Sequence, residues 1–379
     1  MNMVKNVTIK PCDSKTLQKT IDATGNTPAE YYFCEGDYLI NSLLRVYNFT
    51  KWTCDPCVKF ELMEHAPLNP FGCQVPLISS KYKTGITGLE FAGFSFDGHY
   101  KTQKYSTKAG GDDHGKGFHN VLGFGDPGNP AKANITDSSF HDLTFWNSQG
   151  DSIRPEGAKG LEFFNLKGDS GHDIIHANGL MDSEIYGCNV NTRANNFVRL
   201  RESNNVSIHD NIASGKGTYA PIIQVQSITK GRVSTGITVS NNKLSDALGP
   251  GIQIIGTYPG NKGITVKENI ISRCGTMPAA NRLSGVGGIV FDGYDGVTIE
   301  GNVIDSCRGY GILAGKYDTS SSQKGKATLK NNTVTNTKKS YCVGTMSGTG
   351  IANLTAGRYS ITKSGNILKG NATCDYYKV

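Results

Sequence analysis

Charge is scarce in this 379-residue chain: Asp, Glu, Lys and Arg make up 19%, and 39 Lys+Arg against 32 Asp+Glu leave a formal charge of only +7. No basic run of five to eight residues occurs, so the electrostatic footprint of a nucleic-acid binder is missing. No apolar run approaches the roughly 18 residues that a bilayer span needs. Met1-Asn2-Met3-Val4-Lys5 opens no apolar signal-peptide core, so the chain reads as soluble, with any leader already removed. Helical periodicity is nearly absent after residue 30, which excludes ankyrin, TPR and leucine-rich arrays, since these need helices or Leu ladders. Disorder is excluded as well, because 37% of the residues are hydrophobic.

What is abundant is glycine, 47 of 379 residues or about 12%, against about 7% in an average protein. Its cause is a repeat. Gly236-Ile-Thr-Val-Ser-Asn-Asn-Lys-Leu, Gly263-Ile-Thr-Val-Lys-Glu-Asn-Ile-Ile and Gly296-Val-Thr-Ile-Glu-Gly-Asn-Val-Ile recur at solenoid spacing, after an earlier Asn205-Val-Ser-Ile-His-Asp-Asn-Ile. Each phrase alternates apolar and polar residues as a half-buried strand does. The pattern predicts an all-β fold, a right-handed parallel β-helix, read as one domain over residues 1–379. Gly and Asn serve its repeated corners by tolerating φ > 0. Asn242, Asn269, Asn302 and Asn332 fall at one place in successive coils and predict a stacked Asn ladder.

The open end of a solenoid must be covered. Lys15 to Thr24 reads as a short amphipathic capping helix with Leu17, Ile21 and Ala23 on one side, followed by a strand from Tyr31 to Ile40. Residues 1 to 40 are thus a cap and first coil, residues 50–80 and 98–132 loop insertions, Leu89 to Gly98 a coil between them, and 134–370 the main coils. Ten cysteines include the close pair Cys54 and Cys57 without a second pair or a βαβ context, so one or two disulfides in the N-terminal region are expected. Seven Asn-x-Ser/Thr sequons point weakly to an extracellular setting.

Registering the coils on their apolar residues turns Ile153, Ile175, Val198, Ile223 and Ile252 inward, with Pro155, Ala177, Leu200, Val225 and Ile254 two places on. The residues between and beyond are then outward: Arg154 and Glu156, His176 and Asn178, Arg199 and Arg201, Gln224 and Gln226, and Gln253. Planar hydrogen-bonding groups in such a row suit the hydroxyls and carboxylates of a sugar chain. Glycoside hydrolysis needs two carboxyl groups, about 5 to 5.5 Å apart for retention and 6.5 to 9.5 Å for inversion. Asp173, beside Asp151 of the previous coil, is the leading member, paired with Asp151 or Glu156, with His176 as a tuning partner. His172 reads as a turn residue. Arg154, Asn178, Arg199, Arg201, Gln224, Gln226 and Gln253 are the expected substrate contacts. No cofactor is expected for hydrolysis. Elimination on a uronate polymer is the alternative, with Ca²⁺ held by acidic residues, for which Asp112-Asp113 is the only doublet. A glycan-binding adhesin would use the same row without chemistry.

Gly171-His172-Asp173 followed by Arg199-Leu200-Arg201 resembles the Gly-His-Gly and Arg-Ile-Lys signatures of polygalacturonase-type hydrolases. Their Asn-Thr-Asp and Asp-Asp elements are absent in the expected order, so those catalytic assignments do not transfer. Over residues 137 to 235 the chain resembles the archaeal disaggregatase family, through Gly171-His172-Asp173-Ile174-Ile175-His176, Asn191-Thr-Arg-Ala-Asn-Asn-Phe-Val-Arg-Leu200 and Asn205-Val-Ser-Ile-His-Asp-Asn. The resemblance implies a secreted or cell-surface β-helix enzyme that depolymerises methanochondroitin, the uronate- and N-acetylgalactosamine-containing matrix holding methanogen cells in aggregates. An acidic polysaccharide is the implied partner, with neither nucleic acid nor a membrane span. The family supplies no motif-level catalytic residues to carry over.

Overall fold

The structure, a computed structural model, describes residues 4–42, 44–63, 77–79, 85–99, 121–125, 134–148, 150–193, 195–215, 220–276, 286–315, 323–340 and 347–378. They group into two compact units, Met1–Val190 and Asn191–Val379.

In the second unit each coil contributes three short strands, and each strand lies parallel to its counterpart one coil away. Val198–Arg201, Ile223–Ser227, Ile252–Gly256, Ile289–Asp292, Tyr310–Ala314 and Thr349–Asn353 form one face. Their register places Val198, Ile223, Ile252, Ile289, Ile312 and Ile351 in one inward column. β-branched residues fit this column because they pack on a pleated surface and lose little χ1 freedom there. A second face runs from Asn204–His209 to Tyr359–Ser364, and a third from Ile212–Ser214 to Ile367–Lys369. This is the coil of a parallel β-helix.

The corner between the second and third faces carries the predicted asparagine ladder, and it extends further at both ends. Asn211, Asn242, Asn269, Asn302, Asn332 and Asn366 are linked by Nδ2 donating to the next Oδ1, every link 2.9 Å long. The first five side chains are fully buried, so the ladder answers the hydrogen-bonding demand of a turn that water cannot reach.

The first unit is built the same way with a more aromatic interior. Tyr31, Phe33, Trp52, Phe60, Phe91, Phe94, Phe96 and Phe145 are buried, and Phe96 stacks on Phe145 at 5.3 Å. Its cap is the helix Ser14–Asp22, started by Asp13, whose side chain accepts from Thr16 N at 2.8 Å. Leu17 and Ile21 are buried, whereas Ala23 is the exposed C-cap rather than part of the apolar side. The expected strand from Tyr31 to Ile40 is two strands, Ala29–Phe33 and Asp37–Ile40, broken at Gly36 with φ +136°.

Two further expectations are corrected. The insertion expected over residues 50–80 begins with strands Thr50–Cys54 and Lys59–Leu62, because Trp52 and Phe60 both fit the apolar interior. In the stretch 98–132, Leu122–Gly125 is a strand in register with the coil after it, Leu122 against Ile153. Residues 64–76, 80–84, 100–120 and 126–133 lie outside the described residues. Among the described cysteines there is no disulfide: Cys12, Cys34, Cys54 and Cys57 are free thiols. Cys54 instead follows Trp52 along a strand of the first coils, half-buried, with its thiol near Ala92 O.

Candidate functional site

Two adjacent coils of the first unit meet at a polar corner. Strand Ile153–Phe164 pairs in parallel with Ile175–Tyr186, Ile153 against Ile175 and Glu156 against Asn178. The ladder begins just before, with Ser152 N donating to Asp173 O and Ile153 N to Ile174 O, both at 2.8 Å. Asp151 and Asp173 therefore occupy equivalent corner positions one coil apart, and His176 shares the register position of Arg154.

Asp151 is the hub. One carboxylate oxygen, Oδ1, lies 2.6 Å from His172 Nδ1 and accepts from Asp173 N at 3.2 Å. The other, Oδ2, lies 3.2 Å from His176 Nδ1 and accepts from Arg154 Nη1 at 3.2 Å. Asp173 Oδ2 stands 3.3 Å from both imidazole Nδ1 atoms. Arg154 continues outward along the strand, its Nε donating to Glu156 Oε1 at 2.7 Å. Burial alone pushes the Asp151 carboxyl up, but the charges and hydrogen bonds of His172 and His176 outweigh it and hold the group well below the usual carboxylate range.

The sequence pattern placed the alternation correctly but predicted an open row. Asp151, Glu156, His172, Asp173 and His176 are all buried, and Arg154, with a side chain 15% exposed, is the member that reaches furthest toward solvent. Periodicity fixes which face a side chain takes, not what lies over it. The geometry also separates the carboxyl pairs that the sequence left open. Imidazole nitrogens stand between the Asp151 and Asp173 carboxylates, so these two do not flank a sugar ring between them. Glu156 has an oxygen in reserve: Oε2 is buried without a hydrogen-bond partner, and so is Oδ1 of Asn178, its register neighbour.

His172, read from the sequence as a turn residue, does stand at a bend, and it also joins the Asp151 cluster, which that reading did not foresee. It sits in a corner, where strand parity carries no information. The signal that could have found it is its place directly before Asp173, one coil beyond Asp151. Asp112 and Asp113, the candidate calcium doublet, lie outside the described residues. Among the described residues one cluster has metal-binding spacing, Asp151, His172, Asp173 and His176, and it is not the oxygen-only set that calcium prefers.

The remaining expected contacts lie in the second unit and pair chiefly with one another. Arg199 aligns with Gln224 and Gln253, and Arg201 with Gln226. Arg199 Nε and Nη2 both donate to Asn196 Oδ1 at 3.1 Å, Arg201 Nε donates to Gln226 Oε1 at 3.1 Å, and Gln224 Nε2 donates to Gln253 Oε1 at 2.6 Å. All but Arg201 are buried. Beyond Gln253 the same row turns apolar at Val290 and Leu313.

Comparison with known families now adds to this geometry. Residues 132–277 match the right-handed β-helix region, which fixes the hand of the coil, and residues 234–379 match the model described as disaggregatase related. The resemblance read from the sequence, on residues 137 to 235, thus named the family of the disaggregatase-related segment but placed it upstream. No curated protein matches the chain.

Among solved structures, the mannuronan C-5 epimerase A-module of Azotobacter vinelandii is similar over 97% of this chain and 99% of its own, with 13% identity and a TM-score of 0.62. Polygalacturonase from Erwinia carotovora ssp. carotovora is similar over 96% and 97%, with 13% identity and a TM-score of 0.66. Endo-xylogalacturonan hydrolase from Aspergillus tubingensis is similar over 98% and 95%, with 13% identity and a TM-score of 0.58. At such identities these likenesses establish the fold alone.

Proposed function

We propose that the chain is an extracellular polysaccharide depolymerase, an endo-acting glycoside hydrolase on an acidic polymer of uronate and N-acetylgalactosamine, which disperses cell aggregates. The family match and the polymer-acting enzymes that share the fold support this class. The observation that carries it is the pair of buried acceptors, Glu156 Oε2 and Asn178 Oδ1, in register on adjacent coils beside Arg154. A buried acceptor without a donor costs about 1–3 kcal/mol, and the hydroxyls of a sugar, or a proton carried by Glu156, supply what is missing.

In this reading Glu156 donates the proton to the leaving oxygen. Asp151 and Asp173, with His172 and His176 among them, form the basic side that activates the attacking water. Arg154 holds Glu156 and meets an acidic sugar group. Elimination is the second reading, favoured by the same Arg154: a guanidinium beside a uronate carboxylate eases abstraction of the neighbouring C5 proton. Incubation with chondroitin and with methanochondroitin tests both. New reducing ends without the ultraviolet absorbance of an unsaturated uronate support hydrolysis. Both signals together support elimination, and binding with neither leaves a glycan-binding adhesin.

A further inference from the structure

Asp151, His172, Asp173 and His176 each offer one ligand atom, and the four atoms lie within 4.8 Å of one another. We propose that this corner binds one divalent transition-metal ion of the zinc or cobalt type, held by Nδ1 of His172 and of His176, Oδ2 of Asp173 and an oxygen of Asp151. The inference rests on the reading of this corner as the reactive centre and deepens it.

Distances distinguish an ion from a set of hydrogen bonds. Charge-assisted N–H···O contacts run about 2.7–2.9 Å, and here only His172 Nδ1 to Asp151 Oδ1, at 2.6 Å, is that short. His176 Nδ1 stands 3.2 Å from Asp151 Oδ2, and Asp173 Oδ2 stands 3.3 Å from each imidazole nitrogen. Ligands about 2.1 Å from a tetrahedral ion are separated by about 3.4 Å. With Asp151 ligating through Oδ2, three oxygen–nitrogen separations thus approach the edge of a coordination tetrahedron.

Charge and donor chemistry point the same way. When both imidazoles ligate as neutral donors, the buried Asp151 and Asp173 carboxylates supply two negative charges, which one dication balances. Two imidazoles with two carboxylates suit zinc-like ions, whereas calcium takes oxygens and magnesium keeps its waters. The bound ion would fix Asp151, whose Oδ2 also receives Arg154, and would leave Glu156 as the carboxyl free to carry a proton.

The test is titration of chelator-stripped full-length protein with Co²⁺ in the absence of any sugar. One Co²⁺ per chain, with the intense visible absorption of tetrahedral cobalt and displaceable by Zn²⁺, is expected. His176→Ala should weaken binding by more than the roughly 10- to 100-fold that loss of an outer-shell partner costs, while His209→Ala, at a half-buried position outside the cluster, should change nothing. Should His176→Ala not fold, X-ray absorption of the cobalt-loaded native protein decides, with two imidazole ligands expected. No cobalt bound by folded native protein, binding that survives His176→Ala, or a first shell without imidazole would each overturn the proposal. Because the readout needs no substrate, metal binding without polysaccharide cleavage defeats only the functional reading. Cleavage by metal-free protein that binds no cobalt defeats only this one.

Discussion

Asn242→Ala isolates the energetic role of the asparagine ladder. Asn242 is fully buried, and its Nδ2 donates to Ile208 O, Ser240 O and Asn269 Oδ1, each at 2.9 Å. Its Oδ1 accepts from Asn211 N at 3.1 Å and from Asn211 Nδ2 at 2.9 Å. Truncation leaves these groups buried and short of a partner, and each such group costs about 1–3 kcal/mol where the neighbours cannot relax. Since the carbonyls retain other contacts and the terms are not additive, a loss of about 3–5 kcal/mol is expected, a large share of the roughly 5–15 kcal/mol of a folded domain. Urea unfolding followed by circular dichroism measures it. Lys243→Ala, at the exposed neighbouring position, serves as reference and should stay within about 0.5 kcal/mol of wild type. Asn242→Asp keeps size and acceptor but turns a carboxylate oxygen toward three acceptors, so it should be at least as harmful as Ala. A loss for Asn242→Ala no larger than that for Lys243→Ala, or a harmless Asn242→Asp, would refute the reasoning.

Gly293→Ala should cost more than about 3 kcal/mol by thermal melting, because its φ is +76° and a Cβ would stand 1.8 Å from Gly256 O, a backbone atom that cannot swing aside. Gly231→Ala, with φ +78° and nothing within 4 Å, should cost about 1 kcal/mol, the left-handed penalty alone. Asp173→Asn should abolish depolymerisation while leaving the circular dichroism spectrum intact; full activity would remove Asp173 from the reactive centre. Arg154→Ala should raise KM on an acidic polymer by about 10- to 100-fold, the size of one charge-assisted hydrogen bond, and Arg199→Ala should raise it in the second unit. Unchanged KM in both would exclude guanidinium recognition of the acid groups.

Much of the fold was legible because a coil repeats its apolar positions. Ile153, Ile175, Val198, Ile223 and Ile252 are all fully buried, as their alternation required. Asn242, Asn269, Asn302 and Asn332 stack because the same corner recurs. The site was legible only in part. Alternation brought His176 over Arg154 and Asp173 over Asp151, yet it is silent on corner residues, and so passed over His172. It is equally silent on partners taken from outside the row, such as Asn196, which holds Arg199. Nor could it tell that the outward residues of these coils would be buried, since alternation reads only a strand's own residues.

The most direct test of the account is the size distribution of methanochondroitin, or of chondroitin, after incubation with native protein and with Glu156→Gln. The account predicts early fragmentation into mid-sized chains with new reducing ends for the native protein. It predicts a rate lower by roughly 10²- to 10⁴-fold for Glu156→Gln, the share of a general acid. An intact polymer with the native protein, or equal fragmentation by the variant, would contradict it.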